Sequence, residues 1–233
     1  MIDRSTNVRR ALRQRQRGFI INPFRFGGGE PEPPADENVW DSTNKSEWAV
    51  LAADDTELRN ILGPSDNYAN ARSVRPLAGK CYFSARVRTP YGGATVGLGV
   101  ADGAWSPASS ANWIGNAASN VAVAAWFMNG NVYTNGSIIG NLGSSSDAQI
   151  QIAVDVSTRK VWVRRDGGAW LGGGDPAAGT SPTLTLPGSG DIYVAATLSA
   201  NSSPNTNFYA KLARNASEVT GTVPSGFTAA NWG

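Results

Sequence analysis

Ile150-Gln-Ile-Ala-Val-Asp-Val-Ser-Thr-Arg-Lys-Val-Trp-Val-Arg-Arg-Asp-Gly-Gly-Ala-Trp170 decides the fold class. Ile150, Ile152, Val154 and Val156 alternate with Gln151, Ala153 and Asp155, the period-2 pattern of a half-buried strand. Ser157-Thr158-Arg159-Lys160 reads as a turn, and Val161-Trp162-Val163 restarts the strand before Asp166-Gly167-Gly168 stops it. The stretch therefore predicts a β-hairpin with a four-residue connection, followed by a second tight turn.

The same grammar extends in both directions. Cys81, Phe83, Ala85 and Val87 alternate with polar residues, and Tyr91-Gly92-Gly93 turns the chain into the small-residue strand Ala94–Val100. Gly97 and Gly99 share one face of that strand, which lets a large group, expected to be a tryptophan, approach closely. Val121–Met128 and Val132–Thr134 flank Asn129-Gly130, a hairpin signal. Asp191–Ser199 and Asn205–Leu212 read as further strands. Before the central region, Val39-Trp40 and Trp48–Leu51 read as two short strands around a polar turn at Ser42–Lys45. Asp54 to Leu62 reads as one helical turn or an irregular loop. About ten to twelve strands with almost no helix predict an all-β chain, two antiparallel sheets packed face to face.

Composition agrees with one such domain. The 233 residues are 41% hydrophobic and only 16% charged, and 27 glycines and 13 prolines suit short strands joined by tight turns. No apolar run approaches the length of a membrane span, and the opening residues lack a signal-peptide core. Cys81 is alone and is expected to be buried as a small hydrophobe.

The charge is divided unevenly. Residues 1–30 hold seven arginines against Asp3 and Glu30, a net charge of +5, whereas the remaining chain holds 13 cations against 16 acids, −3. The basic stretch leads into Gly18-Phe-Ile-Ile-Asn-Pro-Phe-Arg-Phe26, then a triple glycine, and residues 31–37 form a proline-rich linker. A disordered tail and a nucleic-acid arm are two readings of residues 1–30. The aromatic cluster argues against the first, and the preferred reading is an anchoring arm that orders on a partner protein. In that reading Phe19, Ile20, Ile21, Phe24 and Phe26 are buried by the partner, and Arg9, Arg10, Arg13, Arg17 and Arg25 pair with its acidic groups.

Catalytic chemistry is thinly represented. The absence of histidine removes the usual general base and the common zinc ligands, and one cysteine cannot build a thiolate cluster. Asp54, Asp55 and Glu57 lack the spacing and glycine of an EF-hand loop. Glycoside cleavage needs two facing acids, whereas Asp155 and Asp166 read as turn residues. No catalytic residue, metal or cofactor is therefore expected. Of the eight tryptophans, Trp40, Trp48, Trp126 and Trp162 read as core, and Trp105, Trp113 and Trp170 lie in or beside loops. These three are the candidate contacts for a glycan or a protein.

Several of these stretches carry a family resemblance. Gly79-Lys80-x-Tyr82-Phe83 resembles the "GKwYwE" strand of SPRY (B30.2-type) domains, and Val96–Val100 is similar to the "vGig" strand that follows it. Ile152–Val163 resembles the family's "iGvalDldtgklsf" hairpin, and Ile192-Tyr-Val-Ala-Ala-Thr its "lyPavs" strand. Ser84, Gln151 and Ala195 depart from the family's acidic residue, glycine and proline. The resemblance covers about residues 38–233 and implies a concanavalin-like β-sandwich, a jelly roll, over that range. The extended loop 165–180 and the ending Pro224-Ser-Gly-Phe-Thr-Ala-Ala-Asn-Trp-Gly233 resemble SPRY-like modules of bacteriophages, and the arm is similar to the openings of phage structural proteins.

This resemblance implies a non-enzymatic virion component, assembled in the bacterial cytoplasm. Residues 1–30 would dock on a capsid, neck or tail protein, and the sandwich would face outward as a decoration or as an adhesion module for host-surface polysaccharide. A homo-oligomer such as a fibre is compatible, but no heptads specify one. A free carbohydrate- or protein-binding module is the alternative, and a glycan hydrolase the third reading.

Overall fold

A computed structural model of the chain describes residues 37–60, 67–89, 96–109, 113–116, 122–126, 130–199 and 208–233. All of them belong to the unit that spans residues 33–233. The anchoring-arm residues Arg9, Arg10, Arg13, Arg17, Phe19, Ile21, Phe24, Arg25 and Phe26 lie outside the described residues.

The described residues form fifteen strands: β1 Trp40–Lys45, β2 Ala49–Ala52, β3 Glu57–Asn60, β4 Tyr68–Ser73, β5 Lys80–Arg88, β6 Val96–Asp102, β7 Ala122–Trp126, β8 Asn131–Thr134, β9 Ser137–Asn141, β10 Asp147–Asp155, β11 Lys160–Arg165, β12 Leu184–Thr185, β13 Ile192–Ser199, β14 Tyr209–Leu212 and β15 Thr228–Ala229. One sheet runs β1-β4-β13-β6-β7-β8-β9 and the other β12-β11-β10-β5-β14-β3-β2. Neighbours along both paths are antiparallel; β15 adds to β5 in parallel. No helix of the described residues is long and apolar enough to cross a membrane.

The two sheets share one apolar core, as the all-β sandwich expectation requires. Cys81, Phe83, Ala85 and Val87 of β5 and Ile150, Ile152 and Val154 of β10 meet Leu98 and Val100 of β6 and Val194, Ala196 and Leu198 of β13 in a single buried cluster. The hairpin pairs Ile150 with Arg165 through to Asp155 with Lys160, so Lys160 belongs to the strand and not to the turn. Arg159 in that turn has φ 56.

The hairpin departs from a half-buried pair in one respect: its outer face is covered too. Tyr82, Ala153 and Trp162 sit in one cross-strand row and form a second buried cluster with Phe227. Phe227, with Trp170, Val219 and Val223 packed beside it, makes this cover. Further on, Ala230 donates its N–H to the Tyr82 carbonyl, and Trp232, bridged to Leu77, turns into the core with its ring 6.3 Å from that of Phe83.

Two local expectations are corrected, and one hairpin is added. Ser42–Lys45 is the polar part of β1, held on β4 at a sheet edge where one side of the strand meets water. Asp54 to Asn60 forms no helical turn: Ala53, Asp54 and Asp55 all have positive φ, and Glu57–Asn60 is β3. The hairpin of β8 and β9 was not anticipated. Asn135 and Gly136 both have positive φ, as a two-residue type I′ turn demands.

Candidate binding surface

The three loop tryptophans divide between the two sheets. Trp105 and Trp113 belong to one cluster, with Ala101 of β6 and Ala195 of β13. Trp170 packs with Tyr82, Trp162 and Phe227 on the other sheet.

Alternation along β6 puts Gly97, Gly99 and Ala101 on the outer face of their sheet, because Val96, Leu98 and Val100 point into the core. The segment after β6 folds back across that small-residue face and fastens to it. Ile114 donates its N–H to Thr197 Oγ1 at 2.9 Å, Thr197 Oγ1 donates to Asn70 Oδ1 at 2.7 Å, and Asn70 Nδ2 donates to the Ser109 carbonyl at 2.8 Å. A tryptophan does settle over the small-residue face, and it is Trp105. Its side chain packs with Ala101, Ile114 and Ala195 and retains 5% exposure. That burial leaves no ring face for a sugar, which corrects the expectation of a ligand contact at Trp105.

Trp113 is half-buried at the margin of the same cluster. Its ring meets Tyr133 of β8 edge-on, with centroids 5.3 Å apart and planes at 86°. Tyr133 pairs across the strands with Ile138 of β9, the last strand of the sheet. A register shift between Val132 and Tyr133 places an extra residue in β9, and Ile138 and Ile139 are 58% and 37% exposed. The Gly136 N–H donates to the Gly115 carbonyl at 2.8 Å, tying the β8–β9 turn to the Trp113 segment. Trp113, Tyr133, Ile138 and Ile139 thus make an apolar margin at one sheet edge, rimmed by Asn131 and Asn141, whose side chains hydrogen-bond each other.

Trp170 has a structural setting. The Arg164 guanidinium lies 4.4 Å from its ring centroid, and Tyr82 meets it edge-on at 6.4 Å. Arg164 is buried and donates from Nη2 to Tyr82 Oη and to the Thr222 carbonyl. Burial pushes the Tyr82 phenol up, and the hydrogen bond from Arg164 opposes this only in part. One face of the Trp170 ring is therefore committed to a clamp that holds residues 219–223 against the sheet.

The carboxylates in turns are also committed. Asp155 accepts from the N–H groups of Ser157 and Thr158 and from the Ser157 hydroxyl. Asp166, at φ 50, accepts from the Gln149 N–H. Asp102 accepts from Arg159 Nη2 at 2.6 Å and from the N–H groups of Ala104 and Gly190. Among the described residues no group of three His, Cys, Asp or Glu is arranged to hold a metal ion.

The sequence matches no protein-family model and no curated protein. Its fold, however, is similar to solved SPRY structures. The SPRY domain of human HERC1 superimposes with a TM-score of 0.54 at 15% identity, over 74% of this chain and 96% of that one. The TRIM65 PSpry domain gives 0.51 at 12% identity, over 76% and 88%. The stonustoxin structure gives 0.48 at 13% identity, over 76% of this chain and 27% of that one. The chain has a SPRY-like β-sandwich fold.

Proposed function

We propose that this protein is a non-enzymatic binding component of a bacteriophage virion. In this reading residues 1–30 anchor it to another virion protein, and the SPRY-like body engages a protein partner through Trp113, Tyr133, Ile138 and Ile139. The observation that carries the body's role is the apolar sheet margin, where Ile138 stays 58% exposed beside an aromatic pair. Clustered aromatic and aliphatic groups at a surface supply contact area at little entropic cost. The SPRY-like fold supports a protein-binding module more directly than a glycan-binding one, since Trp105 is buried and Trp170 is clamped by Arg164. A non-enzymatic role is supported by the commitment of Asp102, Asp155 and Asp166 to braces and turns. The anchoring role of the arm rests on its charge and its aromatic residues: five phenylalanines and isoleucines within eight positions have no other evident use.

Cryo-electron microscopy of purified particles tests the reading. Density for residues 1–30 lying extended in a groove of a second virion protein is the expected result. Absence of the chain from the particles would overturn the virion role and leave the body as a free protein-binding module. In either case Ile138→Asp should abolish partner binding in the full chain, and an unchanged affinity would remove the sheet margin from the interface.

A further inference from the structure

The outer face of the second sheet carries a separate arrangement of charge. A row of side chains crosses four strands: Gln149 on β10, Arg86 on β5, Lys211 on β14 and Glu57 on β3. Arg86 and Lys211 are directly opposite each other, so two cations occupy a cross-strand pair where like charges are unfavourable. Their nearest carboxylates are shared. Asp147 takes two hydrogen bonds from Arg86, at 2.9 and 2.7 Å, and Arg88 stands 3.9 Å away. Glu57 pairs with Arg59 at 2.6 Å, and Lys211 stands off at 3.8 Å. With Arg214 and Glu218 at the rim, five cations face three carboxylates.

A groove of about 340 Å³ opens at this cationic pair, lined among others by Ser84, Arg86, Gln149, Lys211, Ala213 and Glu218. Arg86 uses Nε and Nη2 on Asp147, which leaves Nη1 for another acceptor. The Glu218 carboxylate is held by the Arg214 side chain and N–H. Arg86 and Lys211 therefore put cationic donors on the groove wall, while the acid on that wall, Glu218, is already paired with Arg214.

We infer that this groove binds a carboxylate of an acidic peptide segment, held between Arg86 and Lys211. A guanidinium and an ammonium set one strand spacing apart can bracket one carboxylate, and the bound anion relieves the repulsion between them. A peptide is favoured over a sugar acid because, among the described residues, no aromatic ring lines the groove to carry a pyranose face. The groove lies on the sheet opposite the Trp113 margin, so its failure would leave the role of that margin untouched.

Titration calorimetry of the full chain with an end-blocked tetraglutamate peptide tests the inference, with an oligogalacturonate of equal charge measured in parallel. The peptide should bind more tightly than the sugar acid, and its affinity should fall about fivefold in Lys211→Met. It should hold steady in Lys80→Met, which removes the same charge from the other end of β5. Lys211→Gln repeats the measurement if the methionine variant does not fold. The inference is overturned if the peptide does not bind, if the sugar acid binds more tightly, if the Lys211 variant binds like the parent, or if both lysine variants weaken equally. The last result would report net charge alone.

Discussion

Arg159, in the turn of the β10–β11 hairpin, closes an ion pair of 2.6 Å onto Asp102 at the end of β6, and so fastens one sheet to the other. The same guanidinium donates to the carbonyls of Leu186, Pro187 and Gly190, and Asp102 accepts from the Gly190 N–H. Both partners are largely withdrawn from water, so removing either strands a charge that the fold has already desolvated.

Asp102→Asn is therefore expected to destabilise the protein by about 3 kcal/mol, and Arg159→Met by a similar amount. The double variant should cost less than the sum, because each single change strands the other residue's buried charge and the double change strands neither. Urea denaturation of the four proteins measures this directly. Additive losses would mean that the two residues act separately.

Trp105 and Ile138 should separate in their effects. Trp105→Ala empties a buried site and should cost about 3–5 kcal/mol. Ile138→Asp, at an exposed position on the same side of the molecule, should change stability by no more than about 0.5 kcal/mol while removing partner binding. Thermal melts with a binding assay on the same samples check both halves.

Acid should loosen the central hairpin turn. Burial pushes the Asp155 carboxyl up, but its hydrogen bonds from Ser157 and Thr158 and the nearby Lys80 outweigh this, and the net shift is downward. A carboxyl lowered in the folded state contributes stability that is present above the ordinary carboxylate value and is lost as pH falls through the lowered one. Stability measured against pH should thus decline across that interval, and Asp155→Asn should flatten the decline. An unchanged slope would show that the turn does not depend on the charge.

Cys81 should resist modification in the folded chain. It is fully buried, and burial pushes its thiol up to about 12, so almost no thiolate exists at neutral pH. A thiol reagent should label the protein at pH 8 only after denaturant is added, with mass spectrometry as the readout.

The parts of the fold that could be read in the sequence were those where one strand decides its own pattern. Ile150, Ile152 and Val154 advertise an inward face by alternation, and Asp155, Thr158 and Arg159 supply the turn chemistry between the strands. β3 and the second half of β1 are not legible because they are short and, Leu58 apart, made of polar residues, too few to show a period. Asn135-Gly136 carries the same hairpin dipeptide as Asn129-Gly130, but Ser137-Ile138-Ile139-Gly140 beyond it shows no strand alternation. At the surface, Gly97 and Gly99 leave the outer face of β6 short of side chains. Which tryptophan packs beside Ala101 on that face depends on the path of the segment after β6, which no local pattern encodes. Arg164 was hidden for the same reason: nothing in Arg164-Arg165 distinguishes a clamped guanidinium from a solvated one. The cationic pair Arg86–Lys211 joins residues far apart in the chain, so only the strand register reveals it.

The contacts of residues 228–232 set the order in which this protein can be finished. β15 pairs with Cys81 and Tyr82, and Trp232 reaches Phe83 and Leu77, so the strand at the centre of the second sheet gains its last neighbours from a segment about 150 positions downstream. On a translating ribosome, β5 and β10 can be made and paired while that edge is still bare. Only when the segment around Trp232 clears the exit tunnel can it be covered. Between the synthesis of β5 and that of residues 228–232 the nascent chain therefore carries an uncapped, partly apolar strand edge, the condition in which pairing with a neighbouring chain competes with folding.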